Sequence, residues 1–126
     1  MTGDSPFTRR EIGTVGEDAA ARILMRRGYT IIARNVRTRR GEIDLIARDG
    51  GTLVFVEVRS RRGAPPGTAA ESIGSAKRHR LSQLADEYVQ TLSNAPESWR
   101  IDALALELDS VGNIRDFELI RNAVEG

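Results

Sequence analysis

The chain has 126 residues, 40% of them hydrophobic and 29% charged, with no cysteine, a single histidine and a formal net charge of +1. That length supports one domain over residues 1–126 and leaves no room for an independent second module. Without thiols there is no disulfide framework and no thiolate zinc site, and with His79 alone any metal must be held by oxygen, which favours magnesium or manganese.

Residues Met1 to Arg10 lack an apolar targeting core, and no stretch approaches the roughly 20 apolar residues that span a bilayer, so a soluble, cytoplasmic protein without a membrane partner is expected. Thr14-Val15-Gly16-Glu17 reads as a capping box opening a first helix, with Thr8 to Glu11 as a competing start. Ile12, Val15, Ala19, Ala20, Ile23 and Leu24 recur at helical spacing, and Gly28 is placed to close the helix in a left-handed conformation. Three strands follow: Tyr29 to Asn35, Gly41 to Arg48 and Thr52 to Ser60, the last two joined by a hairpin at Asp49-Gly50-Gly51. Arg61 to Thr68, with Pro65-Pro66, is a loop. A long helix from Ala70 to Leu92 carries the row Ile73, Lys77, Leu81, Leu84, Ala85, Tyr88 and Leu92, and Asn94-Ala95-Pro96 stops it. Arg100 to Leu108 and Ile114 to Ile120 are two final strands. The order α-β-β-β-α-β-β predicts an α/β fold with a central mixed five-stranded sheet flanked by helices.

Charge is unevenly spread. Residues 22–80 carry 14 Lys+Arg against 5 Asp+Glu, whereas residues 81–126 carry 3 against 9. The basic block is almost all arginine, the side chain suited to bidentate phosphate contacts, so nucleic acid is the expected partner. The low aromatic content, 5%, argues against a stacking platform for single strands and for backbone contacts to a duplex or junction.

The residues best placed for chemistry lie between Glu42 and Arg59. Along Thr52 to Ser60, Val54, Val56 and Val58 share one face, and Leu53, Phe55, Glu57 and Arg59 share the other. Asp44 sits in a second apolar strand. A two-residue turn at Asp49-Gly50 sets Asp44 opposite Phe55 and makes it a diagonal neighbour of Glu57, within joint reach of one cation; an odd-length turn without a bulge puts it on the other face. Two such carboxylates converge either on a metal or, as structural partners, on Arg59, Arg48 or Arg34. Glu42 shares the face of Asp44 and is either a further ligand or a surface partner of the arginines in Arg37 to Arg40, the surface role being preferred. Asp102 is read as an arginine partner or strand-end residue, and Trp99 as packing at a strand start.

The segment GEIDLIARDGGTLVFVEVRSRR (Gly41 to Arg62) resembles the core of the YraN-like (UPF0102) family, related to the archaeal Holliday-junction resolvases. GEDAAARIL (Gly16 to Leu24), GYTIIARN (Gly28 to Asn35), the helix of Lys77 and RIDALAL (Arg100 to Leu106) extend the likeness over nearly the whole chain. The wider superfamily is restriction-endonuclease-like, with an Asp followed after a spacer by Glu/Asp-x-Lys. The resemblance implies that Asp44 bridges metal and scissile phosphate, that Glu57 and the Val58 carbonyl are further ligands, and that Glu17 completes the site, although Glu17 equally suits the third position of a capping box. Arg59 stands where the motif has lysine and cannot act as a base. Lys77 either supplies the missing amine or snorkels to water from the end of its apolar row.

The resemblance implies a magnesium- or manganese-dependent endonuclease that hydrolyses branched or structured DNA, acting as a homodimer and without a small-molecule cofactor. Arg37, Arg39, Arg40, Arg61, Arg62, Arg78 and Arg80 flank the motif strands and are the expected DNA contacts. The alternative is a non-catalytic DNA-binding protein on the same fold; a third reading is a protein-interaction module docking through its acidic last third.

Overall fold

The computed structural model describes the backbone of residues 9–62, 75–94 and 96–124, and the side chains of these except 9–15, 75–78 and 123–124. Helix α1 spans Arg9–Arg26. It therefore begins at the earlier of the two candidate starts, and the Thr14-to-Glu17 segment lies inside it, because each residue added to an existing turn gains a hydrogen bond that a new start would forgo. Gly28 closes the helix at φ +91°, with Tyr29 N–H donating to Leu24 O at 3.0 Å and Gly28 N–H to Met25 O at 3.1 Å. The carbonyls left bare at the helix end are thus satisfied, and Tyr29 turns into the core.

Strands β1 (Thr30–Thr38), β2 (Gly41–Asp49) and β3 (Thr52–Arg62) follow, then helix α2 (Ser75–Gln90), then β4 (Ser98–Leu108) and β5 (Ile114–Val124). The sheet runs in order β1-β2-β3-β4-β5, antiparallel throughout except for the parallel pair β3 and β4. A parallel pair needs a crossover, and α2 supplies it. This is the expected α/β arrangement, a mixed five-stranded sheet with two helices in the order α-β-β-β-α-β-β, consistent with a restriction-endonuclease-like fold. The Arg61-to-Thr68 loop beyond residue 62 and the expected first turn of the long helix, Ala70 to Gly74 with Ile73, lie outside the described residues. No helix among the described residues is long and apolar enough to cross a membrane.

Each face of the sheet carries its own core. Ala20 and Leu24 of α1 pack with Leu45, Ala47, Val54, Val56, Leu104, Leu106 and Leu108. Leu81, Leu84 and Ala85 of α2 pack with Ile43, Ile46, Leu53, Phe55 and Ile101 on the other side. Trp99 and Tyr88 meet Phe55 edge-on, with centroids 5.9 and 5.7 Å away. Burying a leucine such as Leu104 or Leu106 in full contributes roughly 1.5–3 kcal/mol, so β4, buried from Ile101 to Leu108, is the strand the fold depends on most.

The β2–β3 turn differs from the expected one. Asp49 pairs with Thr52, so the two turn residues are Gly50 and Gly51 rather than Asp49 and Gly50. Gly50 sits at φ +62°, a left-handed conformation that glycine adopts without the cost Asp49 would incur. Ile46, not Asp44, then opposes Phe55, and the pairing runs from Asp49–Thr52 to Leu45–Val56, ending short of Asp44 and Glu57. The register moves by two residues, and Asp44 and Glu57 meet just beyond the last pair rather than as diagonal neighbours within the ladder.

A polar strut ties the opposite end of the sheet. Asp102, fully buried, accepts hydrogen bonds from Tyr29 Oη (2.9 Å), Arg100 Nε (3.0 Å) and Asn122 N (2.7 Å). Arg100 also reaches Asp49 at 2.8 Å, holding that carboxyl below its ordinary range. Asp102 is therefore an arginine partner, as the sequence suggests. Truncating one member of a buried charge network leaves the others unpaired, at about 3–5 kcal/mol. Asp102→Ala is expected to lower the urea midpoint accordingly with an unchanged slope, and a loss below about 1 kcal/mol would show that the strut is dispensable.

Candidate metal and nucleic-acid site

At Asp44 the regular alternation of the sheet breaks. Ile43 and Ile46 both belong to the core under α2, while Leu45 and Ala47 belong to the core under α1. On β1, Ala33 and Val36 likewise share the α2 side, with Asn35 between them at φ +52°. The pairs Arg34–Leu45 and Val36–Ile43 keep one register and pass over Asn35 and Asp44, so the face alternation of both strands breaks at the same level, whereas the β1–β2 register itself shifts between Ile31 and Ala33. Asparagine is among the few non-glycine residues that tolerate this conformation, and β1 continues through it to Thr38 rather than ending at Asn35. The described pairing of β2 with β3 stops at Leu45–Val56, and the Val58 N–H beyond it donates to Asp44 Oδ2 at 2.9 Å. The Asp44 carboxylate thus occupies the fork where the two strands part.

Three further carboxylates surround it. Glu17, Glu42 and Asp44 each offer an oxygen, and these oxygens lie within 4.8 Å of one another. Glu57, only 5% exposed, shares a hydrogen bond with Asp44. Gly16 marks how close the helix comes to the sheet: a Cβ there would stand 2.8 Å from Ser60 Oγ and 3.7 Å from a Leu106 methyl carbon, so a larger residue would make the Ser60 hydroxyl turn away. Glu17, the next residue, is carried down with it. It lies mid-helix, so the capping role considered for it does not apply. An ion pair between Arg34 and Asp18 fastens α1 to β1 beside it.

Burial and, after it, the charge of Glu57 push the Asp44 carboxyl up to about 7, against the lowering effect of the Val58 N–H. Like charges crowded in a half-buried fork fit a hard divalent cation, which prefers oxygen donors alone. Arg59 Nε lies 3.5 Å from Glu57 Oε1, with the arginine side chain 26% exposed.

The expected residues are therefore brought together in part. Asp44 meets Glu17, together with Glu42, on one hand and Glu57 on the other, and Arg59 stands beside Glu57. Lys77 and Arg78 are in α2, but their side chains lie outside the described residues. Arg39, Arg62 and Arg80 are exposed; Arg40 pairs with Glu87 at 3.1 Å, and Arg37 with Glu42 at 3.7 Å. Arg61 donates to the Ser60 carbonyl at 3.2 Å. Glu42 is the residue that sequence reasoning undervalued. Both roles open to it in the sequence are present, an ion pair with an arginine of the adjacent basic segment and a place beside Asp44, whereas the surface role alone is the preferred expectation.

A family model described as "Uncharacterised protein family UPF0102" matches residues 16–106, a span that includes Glu17, Glu42, Asp44, Glu57 and Arg59. A UPF0102 protein of Symbiobacterium thermophilum is 51% identical over 90% of this chain and 96% of its own length. Another, of Roseiflexus castenholzii, is 50% identical over 99% of this chain and 98% of its own. One of Chloroflexus aurantiacus is 48% identical over 94% and 97%. With that coverage, the chain belongs to the UPF0102 family.

Proposed function

We propose that the chain is a metal-dependent endonuclease of the cytoplasm that hydrolyses phosphodiesters in branched or structured DNA with magnesium or manganese. The observation that carries this reading is the convergence of Glu17, Glu42 and Glu57 on Asp44 in the β2–β3 fork, a costly arrangement for a fold to keep without a cation. Asp44, Glu17 and Glu57, with the Val58 carbonyl, would hold the metal. When bound, a hard divalent cation polarises a phosphodiester and lowers the pKa of a water molecule. As a ligand, Asp44 would fix where that charge sits relative to the phosphate. Arg59, always protonated, stabilises negative charge building on the phosphate and removes no proton. A four-way junction has two-fold symmetry and needs two cuts, which two copies of the chain would supply. Cleavage of a labelled junction with manganese, absent in Glu57→Ala, tests the reading.

The second reading, a DNA-binding protein that no longer cuts, is favoured by one observation. Arg59 stands at the motif lysine position and is paired with Glu57.

On either reading the basic side chains around the fork, exposed Arg39 and half-buried Arg61 among them, meet phosphate. Reversing the charge of Arg39 and Arg61 to glutamate should weaken junction binding by at least about tenfold at moderate salt and flatten the salt dependence, because fewer counterions are released. A binding isotherm unchanged by the double reversal would place the DNA on another surface.

A further inference from the structure

Arg37 and Glu42 face each other across the β1–β2 ladder, and their ion pair spans 3.7 Å. The Arg37 side chain is 87% exposed and that of Glu42 39% exposed, so the pair is solvent-screened. Screened pairs of this kind hold weakly and exchange readily. Yet Glu42 is also a member of the trio whose oxygens lie within 4.8 Å of one another. It stands between two positive partners: a guanidinium on its outer side and the cation that Glu17 and Asp44 would share on its inner side. These compete. A cation in the trio repels Arg37, and Arg37 on Glu42 draws away part of the negative charge the cation needs. Arg37 also borders the exposed Arg39 and Arg40, so a nucleic-acid phosphate arriving there offers it a doubly bonding alternative to Glu42.

We propose that Glu42 is a ligand of the divalent cation and that Arg37 sets its availability, so that a phosphate at Arg37 and a cation at Glu17, Glu42 and Asp44 strengthen each other's binding. This rests on reading the fork as a cation site. The coupling is reciprocal by necessity: whatever factor DNA adds to cation affinity, the cation adds to DNA affinity. Its consequence is order. Without DNA the Arg37–Glu42 pair keeps the site partly closed to metal; phosphate contact opens it.

The test is calorimetric titration with manganese chloride, with and without a short DNA duplex, on the full chain. Glu42→Gln is expected to weaken manganese binding by at least about tenfold, as loss of a charged ligand does. Arg37→Ala is expected to tighten manganese binding about threefold without DNA, the size of one exposed pair, and to reduce the further gain on adding DNA. Manganese affinity in Glu42→Gln equal to wild type overturns the ligand role. An Arg37→Ala chain that matches wild type both without and with DNA overturns the coupling. In either of those cases, loss of binding in Asp44→Ala alone leaves the cation site standing, whereas a wild type that binds no manganese removes the site and this proposal together.

Discussion

Asp44→Ala is expected to abolish manganese binding and, with it, cleavage of a four-way junction. Asp44 is the carboxylate common to every grouping in the fork: it belongs with Glu17 and Glu42, shares a hydrogen bond with Glu57, and is itself fixed by the Val58 N–H. Removing any other carboxylate leaves a weakened site; removing this one leaves none. The pH dependence follows from the same geometry. The Asp44 carboxyl is raised from 3.8 to about 7, so between those values the native state holds a proton that the unfolded chain has lost. Stability from this group is therefore full below the lower value, falls as pH rises through the window, and is lowest above the upper one. Asp44→Asn should accordingly melt higher than metal-free wild type at about pH 8, and the difference should vanish near pH 4. A bound cation reverses the sign, because it binds the charged carboxylate: manganese affinity should rise as pH climbs through about 7 and should raise the wild-type melting temperature by mass action. Equal manganese affinity for wild type and Asp44→Ala would refute the site, and a melting difference independent of pH would refute the raised carboxyl.

Much of this arrangement was legible from local chemistry. The alternation of Val54, Val56 and Val58 against Leu53, Phe55 and Glu57 matches the two cores on the two faces of β3. The apolar row Leu81, Leu84 and Ala85 matches the buried face of α2. The register of the β2–β3 hairpin was less legible, because Asp49-Gly50 and Gly50-Gly51 both satisfy the turn chemistry and only the energetic advantage of glycine over Asp49 in a left-handed conformation decides between them. Asp44 and Glu57 still meet, but beyond the last pair of the ladder, Leu45–Val56, where the strands part. What no local pattern carries is the paired break in face alternation at Asn35 and Asp44, which needs two strands to break step together. The same holds for the approach of α1 to β3 over Gly16, which joins residues more than 40 positions apart. Glu42 stays two-sided in the sequence for that reason: the basic segment Arg37 to Arg40 favours a surface partner over a ligand, and only Glu17, brought over from α1, makes it part of the trio.

Arg59→Lys separates the enzyme from the silent binder. In the wild type the arginine lies 3.5 Å from Glu57, where the superfamily motif has lysine, and it cannot take a proton from water at any ordinary pH. If the wild type cuts DNA, activation of the nucleophile must come from the cation, and Arg59 contributes by holding charge on the phosphate. Lysine keeps the positive charge and adds an amine whose pKa burial beside a metal can lower, so cleavage should be preserved or should rise, by up to about 100-fold where proton transfer limits the rate. If the wild type shows no cleavage with either metal, Arg59→Lys supplies the missing group to a fork in which Asp44 and Glu57 already converge, and cleavage should emerge from a silent background. Glu57→Ala excludes contamination: it should remove cleavage from the wild type on the enzyme reading, and from the Arg59→Lys chain where only that variant cuts, and leave junction binding largely intact, since Glu57 is buried and the exposed arginines are elsewhere. The assay is a labelled four-way junction and a flap substrate, each with magnesium and with manganese. Cleavage that persists in Glu57→Ala would defeat the nuclease assignment. A silent wild type whose Arg59→Lys variant is also silent, while both still bind the junction and manganese, would establish the binder.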